Sequence, residues 1–217
     1  MTGPPPRLEG APLLAHPIAD AVMATIRERG YPAARVEEIL ARARMTEADF
    51  DRQFTDKEEL SLRVFEAYVD DLVDRVDAAF SAGGSWPGNL RAAAYETARW
   101  ILANPTVTWF GLVGVLEAGD MARARRDQVF SWGASLVDAG RAVAVHPDAI
   151  PRSTPLIAIG GIAEALRRHA EEAVDVDVAE ALQRMMYVAV RPYLGEAAAR
   201  TEFAIEPPAD LRDDRAA

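Results

Sequence analysis

The sequence predicts an all-α protein, with an N-terminal three-helix helix-turn-helix domain followed by a larger helical bundle. Three observations lead there. Apolar residues recur at three-and-four spacing over most of the chain. No stretch alternates apolar and polar residues for long enough to make a sheet. Glycine, proline and Asn-Pro breaks divide the chain into helix-length pieces. With 217 residues, half of them hydrophobic, such a chain buries about 70% of its unfolded surface without a metal or a disulfide.

The chain opens with a proline-rich stretch, and residues 1–11 are expected to be a disordered tail. The first helix is expected from Pro12 to Arg29, with Leu14, Ile18, Val22 and Ile26 on one face and Gly30 ending it. Between Arg35 and Lys57 two short helices flank a tight turn. Val36, Ile39, Leu40 and Ala43 stripe the first helix, and Met45, Phe50 and Phe54 stripe the second. Thr46 is the expected N-cap of that second helix, with Glu47 and Asp49 in its first turn, and Thr55 and Asp56 start the next helix the same way. Residues 12–57 thus read as one helix-turn-helix domain. Its second helix, of about nine residues, has a size that fits a DNA major groove.

A long helix follows from Asp56 to Phe80, carrying Leu60, Val64, Tyr68, Leu72, Val76 and Phe80 at four-residue spacing. The stretch Ser81–Gly88 is the clearest loop. Five more helices are expected over Asn89–Ala103, Pro105–Ala118, Met121–Val145, Thr154–Ala173 and Val178–Leu194. They make residues 58–205 a helical body, with residues 206–217 a second disordered tail.

Composition excludes several classes of function. The chain has no cysteine, so disulfide frameworks and thiolate chemistry are out. The opening lacks the apolar run of a signal peptide and no stretch reaches membrane-span length, so a cytoplasmic protein without membrane contact is expected. His16, His146 and His169 are scattered without a third metal ligand beside any of them, and Gly111, Gly114 and Gly119 follow no strand. No enzyme and no cofactor are expected.

Net charge is −10, but residues 1–57 carry only −1 and the remainder −9. Any contact with nucleic acid therefore comes through the N-terminal end. Between Arg35 and Lys57, five basic residues face six acidic ones, so affinity for DNA depends on individually placed cations.

From Ile18 to Val73 the chain resembles the TetR family of bacterial transcriptional regulators. The resemblance lies in Gly30-Tyr31, the helix-turn-helix Val36–Phe54 and the helix start Lys57-Glu58-Glu59-Leu60; near the other end, Leu156–Gly195 is similar to the family's last two helices. The chain departs from the family pattern at Ala34 and Arg35, where threonines are common, and at Asp51, where a tyrosine is common.

The resemblance implies a ligand-responsive regulator, by default a repressor, that reads a palindromic operator as a homodimer. It implies DNA contacts from Arg35, Arg44, Thr46, Glu47, Ala48, Asp49, Arg52, Gln53 and Lys57. Lys57, the only lysine in the chain, falls where the family places a phosphate contact. A four-helix dimer interface is implied at Ile157, Gly160, Gly161 and Ala165 with Leu182, Met185, Met186, Ala189 and Tyr193. In the body, Tyr95, Trp100, Trp109, Phe110, Phe130 and Trp132, with Glu117 and Met121, are the implied lining of a pocket for an apolar or aromatic small molecule. The same aromatics also suit an ordinary core, and the last two helices an intramolecular one. Glu47, Asp49 and Asp51 leave a further alternative open, a TetR-like dimer that binds a small molecule or a protein partner with little or no operator binding.

Overall fold

A computed structural model describes residues 3–5, 13, 16–172 and 178–212. Every regular element among them is helical: α1 Pro17–Arg29, α2 Val36–Ala43, α3 Glu47–Asp51, α4 Lys57–Phe80, α5 Trp86–Ala103, α6 Pro105–Leu112, α7 Asp120–Asp138, α8 Thr154–Glu172 and α9 Val178–Phe203, with short 3₁₀ turns between and after them. No described helix is long and apolar enough to cross a membrane.

The chain divides into two compact units. One comprises residues 6–71 and 104–128, the other residues 1–5, 72–103 and 129–217, so α4 and α7 each belong partly to both.

In the first unit α1 packs against α2 and α6. Ile18, Val22 and Ile26 are fully buried, as their spacing predicts, while Leu14 lies outside the described residues. The helix begins at Pro17 rather than Pro12. His16 takes the N-cap position, its Nδ1 accepting from the Ile18 amide at 3.2 Å, and Pro17 occupies the first helical position, where a missing N–H costs nothing. Phe65 from α4 meets Phe110 from α6 edge to face, centroids 5.7 Å apart. Beside them, Arg125 from α7 is buried and pairs with Asp70 of α4 at 2.7 Å. Glu66, one turn before Asp70, is buried as well; burial pushes its carboxyl up, against the pull of Arg125.

The second unit is built around Trp86. Its indole N–H donates to the Leu136 carbonyl at 3.1 Å and its ring meets Tyr193 edge to face at 5.1 Å. Gly140 lies so close under the ring that any side chain there would overlap it. Trp86 also starts α5, where Ser81–Gly88 was expected to be loop throughout. Ser85 caps the helix, its hydroxyl accepting from the Gly88 amide at 3.3 Å, and Pro87 fits the first turn. The loop shrinks to residues 81–85.

Three other boundaries move. α6 stops at Leu112 rather than Ala118, and a 3₁₀ turn follows over Gly114–Leu116. α7 stops at Asp138 rather than Val145 and tightens into a 3₁₀ turn over Ala139–Val143. There Arg141 pairs with Asp138 at 2.9 Å and donates to the carbonyls of Pro147 and Ile150, at 2.6 and 3.0 Å. α9 is interrupted at Gly195, at φ 81°, close to the expected end at Leu194, and helix then resumes to Phe203.

The expected C-terminal tail is folded as far as residue 212. Leu211 is buried against Ala98 and Leu182, with Ala94, Tyr95 and Met185 alongside, and Asp210 pairs with Arg99 at 2.6 Å. One leucine set among charged residues was a weak signal for that packing. Residues 213–217, and of the N-terminal tail all but 3–5, lie outside the described residues.

Candidate nucleic-acid interface

The helix-turn-helix is assembled from local signals. α2 ends in a Schellman turn: the Met45 amide donates to the Leu40 carbonyl at 3.0 Å and the Arg44 amide to that of Ala41 at 3.4 Å. Arg44 stands at the left-handed position usually given to glycine, at φ 54°, the one non-glycine among the described residues with positive φ. Its side chain is exposed and makes no hydrogen bond or ion pair among the described residues.

Thr46 caps α3 as expected. Its Oγ1 accepts from the Asp49 amide at 3.1 Å and donates to the Asp49 carboxylate at 2.6 Å. α3 spans five residues instead of about nine. After Asp51 the amides of Gln53 and Phe54 both return to the Phe50 carbonyl at 2.8 Å, and this tight turn sends Phe54 inward against Phe50, with centroids 5.5 Å apart.

The acidity of α3 is unevenly distributed. Asp49 is turned back on its own helix, and the Thr46 hydroxyl, then Arg52, hold its carboxyl below the usual range. Glu47, Ala48 and Asp51 remain exposed. Arg52 is exposed and engaged with Asp49, Arg35 is exposed and paired with Glu37 at 3.3 Å, and Gln53 donates to the Asp49 carbonyl at 3.2 Å.

α4 ties this assembly together from its first two turns. Asp56 caps it by accepting from the Glu59 amide at 2.8 Å, while the Glu59 carboxylate accepts from the Thr55 amide and hydroxyl at 2.7 and 2.8 Å. Arg63 donates to the Gln53 carbonyl at 2.8 Å and lies over the Phe54 ring. Lys57 turns inward. Its Nζ donates to the carbonyls of Tyr31 and Ala34, at 2.7 and 2.8 Å, and stands 4.4 Å from the Tyr31 ring centroid.

Residues 18–64 match the family model for bacterial regulatory proteins, tetR family. Over those residues the helix-turn-helix is of the tetR-family type. No curated protein matches the chain. Among solved structures, the fatty acid degradation regulator FadR of Bacillus halodurans is similar at 14% identity, over 84% of this chain and 97% of its own, with a TM-score of 0.73. FadR of Bacillus subtilis, solved in complex with stearoyl-CoA, is similar at 14% identity over 81% and 97%, with a TM-score of 0.67. A TetR/AcrR-family regulator of Thermobifida fusca follows at 19% identity over 80% and 94%, with a TM-score of 0.51. The likeness in fold to these structures extends beyond the matched segment to the helical body.

The expected pocket residues of the helical body fall in both units. Tyr95, Trp100, Phe130 and Trp132 belong to one, Trp109, Phe110, Glu117 and Met121 to the other. Trp100, Phe110 and Trp132 are buried, Tyr95, Trp109 and Phe130 half-buried, and Glu117 and Met121 exposed. The indole N–H of Trp132 is buried without an acceptor among the described residues. Trp86, which composition alone does not set apart from the other tryptophans, is a core pillar.

The expected interface residues separate by element. On α8, Ile157, Gly160, Gly161 and Ala165 are exposed along one face. On α9, Leu182, Met186, Ala189 and Tyr193 are buried within their own protomer and Met185 is half-buried. These four pack inward because α9 contacts both α5 and α8; the exposed large apolar residues of α9 are Val188 and, beyond the Gly195 break, Phe203.

Proposed function

We propose that the protein is a ligand-responsive transcriptional repressor that binds a palindromic operator as a homodimer through α2 and α3. The observation that carries this reading is the capped helix-turn-helix within the segment matched by the tetR family model. Exposed Arg44 and Arg52 supply cations at the turn and at the end of α3, beside Glu47, Ala48 and Asp51, the side chains free to meet base edges. Carboxylates accept from cytosine N4 amino groups and are repelled by guanine O6 and N7, so contacted positions rich in cytosine are expected.

Dimerisation through α8, with Val188 of α9, is supported by the exposure of Leu156, Ile157 and Val188. It is supported further by Gly160 and Gly161: a methyl group at either would meet nothing within its own protomer. Glycine inside a helix costs about 1 kcal/mol relative to alanine, so the protomer alone gives no reason for two in a row. Close approach of a partner helix does.

For the effector, the orphan Trp132 donor and the aromatic residues of its own unit, Tyr95, Trp100 and Phe130, support a largely apolar molecule carrying at least one hydrogen-bond acceptor. The stearoyl-CoA bound by the Bacillus subtilis structure makes a long-chain acyl thioester the first compound to try.

The test is selection of duplexes from a random-sequence DNA pool by the purified full chain, followed by titration of the selected duplex with and without stearoyl-CoA. A palindromic consensus whose binding weakens on adding the thioester supports the whole reading. A consensus indifferent to it removes the acyl thioester and leaves the operator. Absence of any consensus from a folded dimer would favour the partner-binding alternative that exposed Glu47 and Asp51 motivate.

A further inference from the structure

Lys57 occupies the place where the family resemblance implies a phosphate contact, yet its geometry commits it elsewhere. An ammonium group has three N–H bonds. Two of them point at the Tyr31 and Ala34 carbonyls, at 2.7 and 2.8 Å, and the charge lies against the Tyr31 ring, 4.4 Å from its centroid. Both carbonyls belong to the connection between α1 and α2, and Ala34 is buried. The next residue, Arg35, is the N-cap of α2. On the other side, Glu59 and Arg63 of the same two turns hold Thr55, Gln53 and Phe54, the exit from α3. The start of α4 therefore grips the helix-turn-helix at both ends; on the entry Lys57 holds the backbone carbonyls, and Ser61, one turn later, meets the Tyr31 hydroxyl.

We infer that Lys57 is a positioning residue for DNA reading: its ammonium fixes the 30–35 connection, and with it the entry angle of α2, and it does not neutralise a phosphate itself. The inference rests on the operator-reading proposal. It differs from a phosphate contact in a measurable way, because each neutralised phosphate adds about 0.9 to the slope of log K against log salt. A residue acting through the fold changes K at every salt concentration alike.

The test uses the full-length protein, a duplex selected by the wild type, and the variants Lys57→Gln and Lys57→Arg. With Lys57→Gln, affinity should fall at least tenfold with the salt slope unchanged. Lys57→Arg should not restore it, since a planar guanidinium cannot take the place of a compact ammonium between two carbonyls and a ring. Hydrogen exchange without DNA should be faster for the amides of residues 31–36 in Lys57→Gln than in the wild type. A slope lower by about 0.9 in Lys57→Gln and recovered in Lys57→Arg, or unchanged affinity in both variants, would overturn the inference. If Lys57→Gln does not fold, Lys57→Arg decides alone: wild-type affinity overturns the inference, and a tenfold loss at unchanged slope supports it. Should the wild type select no duplex, the operator reading fails separately, and exchange decides whether the grip exists; unchanged exchange at 31–36 removes it.

Discussion

Arg44 pays for its place in the turn. An L-residue in the left-handed region costs on the order of 1 kcal/mol, which glycine avoids. Arg44→Gly is expected to raise stability by about 0.5–1 kcal/mol in thermal unfolding, the gain being reduced by the greater freedom of glycine in the unfolded chain. If Arg44 meets a phosphate, the same variant should weaken DNA binding and lower its salt slope by about 0.9. A variant that is both more stable and a poorer binder would show that the strain is kept for the charge. Glu66 is the second residue with a clear expectation. Burial raises its folded carboxyl pKa above the unfolded value, so the stability that goes with protonation is fully present below the unfolded pKa and is lost as pH rises through the folded one. Glu66→Gln should therefore raise the melting temperature at neutral pH, and the gain should fade as pH drops through the folded pKa toward the unfolded carboxylate value. A gain of equal size at acid pH would mean that the carboxylate is not penalised where it sits.

At the scale of elements, α5 depends on its first residue. Trp86 is at once helix start, hydrogen-bond donor to Leu136 and ring partner of Tyr193. Truncating a buried tryptophan costs about 3–5 kcal/mol, and adding a methyl in a filled core about 1–3 kcal/mol. Trp86→Ala and Gly140→Ala should both show these losses in chemical denaturation, and if they act through one contact the double variant should cost less than the two combined. The sequence made the helix-turn-helix legible because each of its signals is local: a threonine cap, an acidic first turn, a glycine stop. It misled where a decision is tertiary. The SAGGSWPG stretch reads as loop by composition, yet a buried tryptophan pulls its second half into α5. The five-residue α3 depends on Phe54 turning inward, and periodicity alone does not distinguish that turn from another half-turn of helix.

For the whole molecule, the same limit appears in the last two helices. Periodicity finds apolar faces on α8 and α9 but not which of them is already covered within the protomer. Leu182, Met186, Ala189 and Tyr193 turn out to be interior, whereas Ile157 is 69% exposed. Ile157→Asp should accordingly yield a folded monomer by sedimentation, whereas Leu182→Asp should unfold the chain. Gly160→Leu should leave the protomer's melting behaviour close to wild type while weakening self-association. The aromatic residues of the body were legible as a set, but their division between core and ligand wall was not, because the same ring chemistry serves both.

The solitary lysine gives the protein a built-in reporter. With one ε-amine in 217 residues, an amine-reactive ester has a single side-chain target, which mass spectrometry separates from the α-amino group. While its N–H bonds are directed at two carbonyls beside the Tyr31 ring, Nζ is half-buried and poorly placed to attack. The acylation rate therefore rises with the opening of the entry to the reading domain, and it can be followed without knowing any operator or effector.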